Sequence, residues 1–309
     1  MYRIGIDLGG TNIAAGVVDE SQHIVAEVSV PTGAERGAEA VVADICRAAE
    51  LAMARAGITA AHCASIGIGS PGTCDGSRGV VVRAYNLGWF NVPVCDMVTA
   101  RLGLPCRLSN DANCAALAET VAGAAVGCRN MVLVTLGTGV GVGIVSDGKL
   151  LEGVGGTGAE AGHAILVLDG EPCTCGRKGC WEAYASATAL IRQGRRAALA
   201  HPESLLARCG DALTAKDVFD AADGSDETAQ AVLAQYYVYV AAGVTDLVNI
   251  LGPEMVLIGG GISRQGERLL SPVREYVAAN CFGGHDRLPP VIEAARLGNE
   301  AGIIGAAAL

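Results

Sequence analysis

Apolar residues recur along this chain in two periods. Residues 2–19, YRIGIDLGGTNIAAGVVD, are two apolar runs joined by a GGTN turn and predict a β-hairpin. Residues 37–57 set Ala, Val, Ile and Leu among charged residues at helical intervals and stop at Gly57, which predicts a helix. SIGIGSPG (65–72) predicts a buried strand that breaks at Ser70-Pro71-Gly72, and NLGWFNVPV (86–94) a loop carrying an Asn and a Trp. LPCRLSNDANCAALAETVAG (104–123) reads as a short strand, a polar stop and a helix from about Ala112. Asn110-Asp111 then lies at a strand-to-helix junction, where capping alone would explain the Asp. Later helices are predicted over 183–201, 214–223, 226–251 and 267–279, with strands at 254–263 and near 291–294 and a closing glycine-rich helix. Tyr236, Tyr237 and Tyr239, mid-way along the longest helix, read as core packing.

One pattern occurs twice. Gly10-Thr11-Asn12-Ile13-Ala14-Ala15-Gly16-Val17-Val18 lines up with Gly137-Thr138-Gly139-Val140-Gly141-Val142-Gly143-Ile144-Val145. Each copy follows an apolar strand (RIGIDL; NMVLVTL) and ends near an Asp, Asp19 or Asp147. Such a repeat implies a duplicated α/β domain with both turns facing one cleft, where ligands prefer to bind. Glycine turns let backbone N–H groups approach an anion, and a carboxylate beside them, here Asp7, can hold hydrated Mg2+. The sequence is neither G-x-G-x-x-G before a helix nor a Walker A motif, which disfavours a dinucleotide fold and a P-loop.

Composition narrows the class. At 309 residues the chain is long enough for two domains, and 51% hydrophobic content with 43 Gly and 4% aromatic residues describes a globular α/β protein. A net charge of -10 leaves no basic footprint for nucleic acid. No run approaches 18 apolar residues, so no membrane span is expected, and MYRIGIDLGG has no charged n-region, so no signal peptide is expected. Twelve cysteines in such a chain read as reduced thiols of a cytoplasmic protein.

The densest candidate chemistry is EAGHAILVLDGEPCTCGRKGCWE, Glu160 to Glu182. His163, Cys173, Cys175 and Cys180 form a set of three sulfurs and one nitrogen that suits tetrahedral zinc, and four protein ligands would make the metal structural. Buried inert thiols or a redox pair are the alternatives, although a redox pair is usually C-x-x-C after a strand and this is C-x-C in a loop. A clip over 163–180 would fix Glu160 and Glu182 as acceptors for a polyhydroxylated ligand; solvated loop acids are the plainer reading. His23, His62, His201 and His285 show no partner pattern and read as surface or structural residues.

These stretches together resemble the ROK family of repressors and sugar kinases, within the actin-like ATPase superfamily, across nearly the whole chain. DLGGTN and LGTGVGVGIV resemble its two phosphate loops, LSNDAN its catalytic motif, GGTGAEAGH with CTCGRKGCWE its signature and zinc site, and IGGGIS a nucleotide-side loop. The resemblance implies two ribonuclease-H-like α/β domains around a central cleft, residues 1–113 and 114–297, with the final helix (298–309) rejoining the first. It implies ATP-dependent phosphorylation of a hexose at its 6-hydroxyl, most simply glucose. N-acetylmannosamine, N-acetylglucosamine, fructose or allose are the alternative substrates. A sugar-sensing regulator or a silent sugar-binding protein are readings from other classes.

By resemblance Asp111 is the general base, and Gly69, Asn86, Asn110, Asp111, Glu160, His163 and Glu182 bind sugar. Asp7, Gly9, Gly10, Thr11, Asn12, Gly137, Thr138, Gly139, Gly260 and Gly261 bind ATP and Mg2+, and His163, Cys173, Cys175 and Cys180 bind Zn2+. The expected partners are a small sugar and ATP, with no nucleic acid or membrane, in a dimer or tetramer.

Overall fold

A computed structural model describes residues 1–284 and 288–309, so His285 lies outside the described residues. The chain divides into two compact units: residues 1–133 with 143–159 and 295–309, and residues 134–142 with 160–294. The boundary expected after residue 113 falls inside a helix of the first unit, because that helix packs on the closing helix rather than opening a new domain.

The first unit is built on β1 (Tyr2–Leu8), β2 (Asn12–Val18) and β3 (Ile24–Pro31), with β4 (Cys63–Ser70) and β8 (Cys106–Asn110), in the order β3-β2-β1-β4-β8. β1 to β3 form an antiparallel meander, and β4 and β8 run parallel to β1. Ile4, Ile6, Ile66 and Ile68 are fully buried on this sheet against α1 (Ala38–Arg55), whose Val41, Ile45, Ala48 and Ala52 are also fully buried. That spacing of three and four residues is the helical stripe the sequence predicts. A small antiparallel sheet, β5 (Thr73–Asp75), β6 (Val80–Ala84) and β7 (Trp89–Val92), corrects the loop expected over 86–94: Tyr85–Leu87 makes one 3-10 turn and Trp89 begins a strand. Trp89 is buried, which supplies the apolar face that makes the stretch a strand. α2 (Val94–Leu102) and α3 (Asp111–Val121) follow.

α10 (Ala301–Ala308) closes the unit by seating on β1, β4 and α3. The approach is so close that a Cβ on Gly5 or Gly67 would overlap the Ile303 or Ala306 carbonyl. Glycine is used there for contact, not for turning.

β9 (Met131–Leu136), β10 (Val140–Ser146), β11 (Lys149–Leu150), β12 (Met255–Gly259) and β13 (Val291–Ala294) form a second five-stranded sheet. Its order, β11-β10-β9-β12-β13, repeats that of the first sheet position for position. β10 and β11 are antiparallel while β12 and β13 are parallel, as in the first. The sequence repeat is therefore a repeat of architecture.

The second unit carries α4 (Glu182–Ala185), α5 (Ala187–Ala200), α6 (Leu205–Cys209), α7 (Ala215–Asp223), α8 (Glu227–Leu251) and α9 (Glu267–Asn280). The single helix expected over 183–201 is broken at Ser186, whose hydroxyl accepts from the Ala189 N–H and caps α5. By length and mean hydropathy (1.3) α8 is long and apolar enough to cross a membrane, unlike the expectation from apolar runs, and half of its most apolar window is buried inside the protein. Tyr236 is fully buried there and donates to the Ala185 carbonyl at 2.8 Å, while Tyr239 stacks on Tyr184 at 4.8 Å. All twelve cysteines are free thiols.

Candidate functional site

Strand register assembles the candidate chemistry of the first unit. Asp7 on β1 pairs with Gly69 on β4, and Gly69 pairs with Ser109 on β8, so the three lie in one row at the carboxyl ends of parallel strands. Ligands bind at such strand ends because the loops that follow are free to carry function. Asn110 and Asp111 come next along the chain.

Asn110, not Asp111, is the cap of α3: its Oδ1 accepts the Ala112 N–H at 2.8 Å and its Nδ2 donates to the Gly72 carbonyl at 3.0 Å. Asp111 is the first helical residue, and one of its carboxylate oxygens also accepts the Ala112 N–H at 2.8 Å. Asp111 reaches solvent yet is closely surrounded by packed atoms, and that burial pushes its carboxyl above the usual range. Asp7 is half-buried, and burial first and Asp111 second push it up to about 6. α10 reaches this acid as well, since a Cβ on Gly302 would stand 2.5 Å from the Asp7 carboxylate.

The turn after β1 is held open. Gly10, Thr11 and Asn12 are exposed, the Gly9 N–H donates to the Asn12 carbonyl at 2.9 Å, and Asn86 is exposed beside Gly10. The anchor of this turn is Thr32, which sequence reasoning missed. It is fully buried, its hydroxyl donates to the Gly9 carbonyl at 2.7 Å and its N–H to the Thr11 carbonyl at 2.8 Å. A lone Thr after β3 carries no signal of that role; only the β2–β3 pairing brings it there.

The second unit gathers its own set of candidate residues around Val140. The Glu182 carboxylate accepts the Val140 N–H at 3.1 Å and the Thr174 hydroxyl at 3.2 Å, and it lies so close to Gly139 that a Cβ there would collide with it. Gly162 seats the Ala161–His163 turn against the Val140 carbonyl, with Glu160 directly before that turn. The Gly137 and Thr138 carbonyls accept from the Ala187 N–H at 2.8 Å and the Thr188 hydroxyl at 2.9 Å. Gly260 (φ +79) packs on the Leu136 backbone, and Gly260 and Gly261 are exposed. The two glycine turns, 137–139 and 260–261, thus leave adjoining strands.

His163, Cys173, Cys175 and Cys180 offer ligand atoms that all lie within 4.8 Å of one another, a set that could hold a metal ion. Cys173 Sγ is 3.6 Å from His163 Nδ1 and 3.6 Å from a Glu182 oxygen, and Cys175 Sγ is 3.6 Å from Cys180 Sγ. Every site residue expected in 1–113 is thus gathered in the first unit, and every one expected beyond it in the second.

The chain is 40% identical to a glucokinase of Streptomyces coelicolor over 312 residues, 99% of this chain and 96% of that protein. It is 38% identical to a glucokinase of Halalkalibacterium halodurans over 313 residues, 98% of this chain and 93% of that protein. Among solved structures, a ROK family glucokinase from Streptomyces griseus, in complex with glucose and AMPPNP, superposes with a TM-score of 0.83 at 39% identity, covering 100% of this chain and 98% of that one. The ROK family profile matches residues 3–309, and the chain belongs to the ROK family.

Proposed function

We infer that this protein is an ATP-dependent kinase that phosphorylates the 6-hydroxyl of a hexose, with glucose as the simplest substrate. The observation that carries this reading is the row of Asp7, Gly69 and Ser109 leading into Asn110-Asp111, two acids raised by burial at the ends of parallel strands. Phosphoryl transfer needs positioning, charge neutralisation and a base at the attacking hydroxyl.

Asp111 is the base. Burial raises the proton affinity of its carboxyl, and that carboxylate can accept the hydroxyl proton. Gly69, Asn86, Asn110, Glu160, His163 and Glu182 hold the sugar; the Asn110 amide, though engaged in capping, keeps one Oδ1 lone pair for a hydroxyl. MgATP supplies the phosphoryl group and the metal charge. Gly10, Thr11 and Asn12, then Thr138 and Gly139, then Gly260 and Gly261 would line its phosphates, while Gly9 and Gly137 close the first two turns through their own N–H groups, and Asp7 would accept from a water of the Mg2+.

His163, Cys173, Cys175 and Cys180 fit structural Zn2+. Tetrahedral bonds of about 2.3 Å to sulfur and about 2.05 Å to nitrogen require edges of about 3.8 Å for S···S and ~3.6 Å for S···N. The Cys175–Cys180 and Cys173–His163 separations, both 3.6 Å, are close to these edges, and with all four ligand atoms within 4.8 Å of one another the rest need close by no more than about 1 Å. Held there, the loop would fix Glu182 through Thr174. Twelve free thiols fit the reducing cytoplasm.

The test is ADP release with MgATP over a panel of hexoses, beside Asp111→Asn. Turnover on glucose that falls at least ~1,000-fold in the folded variant supports both substrate and base. Turnover confined to N-acetylmannosamine or a ketose keeps phosphoryl transfer and replaces the sugar. Near-normal activity of D111N removes Asp111 as base.

A further inference from the structure

A third acid of the first unit, Glu152, has no part in the scheme above. Its carboxylate accepts a short hydrogen bond from the hydroxyl of Ser109, which is fully buried and belongs to the Asp7–Gly69–Ser109 row. No Lys or Arg among the described residues pairs with Glu152. It is half-buried, and its second oxygen packs toward Gly76.

The acid is mounted rigidly. The Glu152 carbonyl accepts the Gly158 N–H at 2.8 Å, closing a loop in which Gly153, Gly155 and Gly156 all have positive φ. Gly156 sits under the Cys74 carbonyl, where a Cβ would overlap it, so the loop is pressed on β5. Asp111 lies nearby: Cys74 and Cys114 are pushed up by their burial first, and then by the charges of both Asp111 and Glu152. A carboxylate without a counter-cation beside other acids costs stability, and a neutral side chain could satisfy one hydroxyl more cheaply. A charged acceptor, however, makes a hydrogen bond roughly twice as strong as a neutral one. What that bond fixes is the β8 backbone just before Asn110 caps α3 and Asp111 begins it.

We propose that Glu152 is a positioning residue for the kinase reaction: through Ser109 it holds the end of β8 so that Asn110 and Asp111 meet the attacking hydroxyl in reactive geometry. This rests on the hexose-kinase reading with Asp111 as base. Misplacement of a base by a fraction of an ångström lowers turnover without weakening binding of the other substrate.

The test is a double-mutant cycle in steady-state kinetics with the preferred hexose and MgATP, using Glu152→Ala, Ser109→Ala, the pair together and Glu152→Gln. Glu152→Ala and Ser109→Ala are each expected to lower kcat ~10- to 100-fold with KM for ATP within about twofold. The double variant should be no worse than the poorer single, because both remove one interaction. E152Q, which still accepts the hydroxyl but as a weaker neutral partner, should recover part of the lost kcat. Multiplying losses in the double variant, or a wild-type kcat in folded E152A accompanied only by a lower melting temperature, would overturn the proposal. If E152A does not fold, Ser109→Ala against E152Q decides it, since wild-type kcat in the former is fatal. Asp111→Asn run alongside keeps the two readings apart: activity in that variant condemns the base assignment, whatever the cycle shows.

Discussion

Asp7 shows how a single position can be chosen against stability. Its carboxyl is pushed up to about 6, by burial first and by Asp111 second. A folded-state pKa above the ordinary value means that the folded protein binds protons more readily than the unfolded chain. Stability therefore rises as pH falls from above 6 toward 4, and the penalty is complete above 6. Asp7→Asn is expected to stabilise the protein at about pH 8 by up to about 3 kcal/mol. The gain should shrink as pH falls to about 4, while MgATP-dependent turnover is lost. Thermal unfolding of variant and wild type at both pH values checks this; a gain that does not vary with pH would mean that the carboxyl does not titrate as assigned. Asp111, as the proposed base, works the other way round in activity. A base with a raised pKa is protonated as pH falls, so kcat should decline on the acid side and not on the alkaline side. The motif residues were legible one by one, because Asp, Asn and Gly beside strand ends carry local signals. Thr32 and Glu152 were not, because each acts through a partner 23 or 43 residues away.

Among elements, α10 does most to shape the first unit, and a buried acid latches its approach. Glu119 on α3 is 1% exposed. One oxygen accepts the N–H groups of Arg296 at 2.8 Å and Leu297 at 2.9 Å, and the other accepts Ala124 at 2.7 Å. These are charge-assisted bonds to backbone groups, and breaking one leaves a buried donor unmet. Glu119→Gln turns an amide NH2 toward one of those donors. We expect a loss of about 3 kcal/mol and a fall in melting temperature on the order of 5–10 °C, measured by calorimetry. An unchanged melting temperature would show that the latch is dispensable. Helix and strand positions were largely legible, because apolar periodicity follows from the burial that each face requires. The two misread elements share a cause. Ser186 ends α4 with a cap, and Trp89 starts a strand with a buried ring, and neither feature disturbs the apolar pattern around it.

At the scale of the molecule, zinc held by the proposed four-ligand cluster of the second unit would link stability to ligand binding. His163, Cys173, Cys175 and Cys180 draw one loop around a point, and Thr174 within that loop donates to Glu182. Removing bound zinc with a chelator is expected to lower the melting temperature and to raise KM for the hexose together, by roughly tenfold or more for the latter, with both restored by added zinc. Cys175→Ser should reproduce the effect and reduce zinc content, read by atomic emission. A fall in melting temperature with unchanged sugar KM would confine the metal to a structural role remote from the sugar.

The sequence by itself determined the duplicated α/β plan, the glycine turns at strand ends and the identity of the acids and thiols, because all of these rest on local spacing and side-chain chemistry. Tertiary structure alone decided which of them act together. Strand register set Asp7 beside Gly69 and Ser109, and long-range packing brought Glu152 to Ser109, Thr32 to the first glycine turn and Gly302 to Asp7. The domain boundary belongs to the same class. The first unit takes in α3, residues 143–159 and α10, because glycine contacts let distant segments pack as neighbours, and contacts of that kind leave no period in the chain.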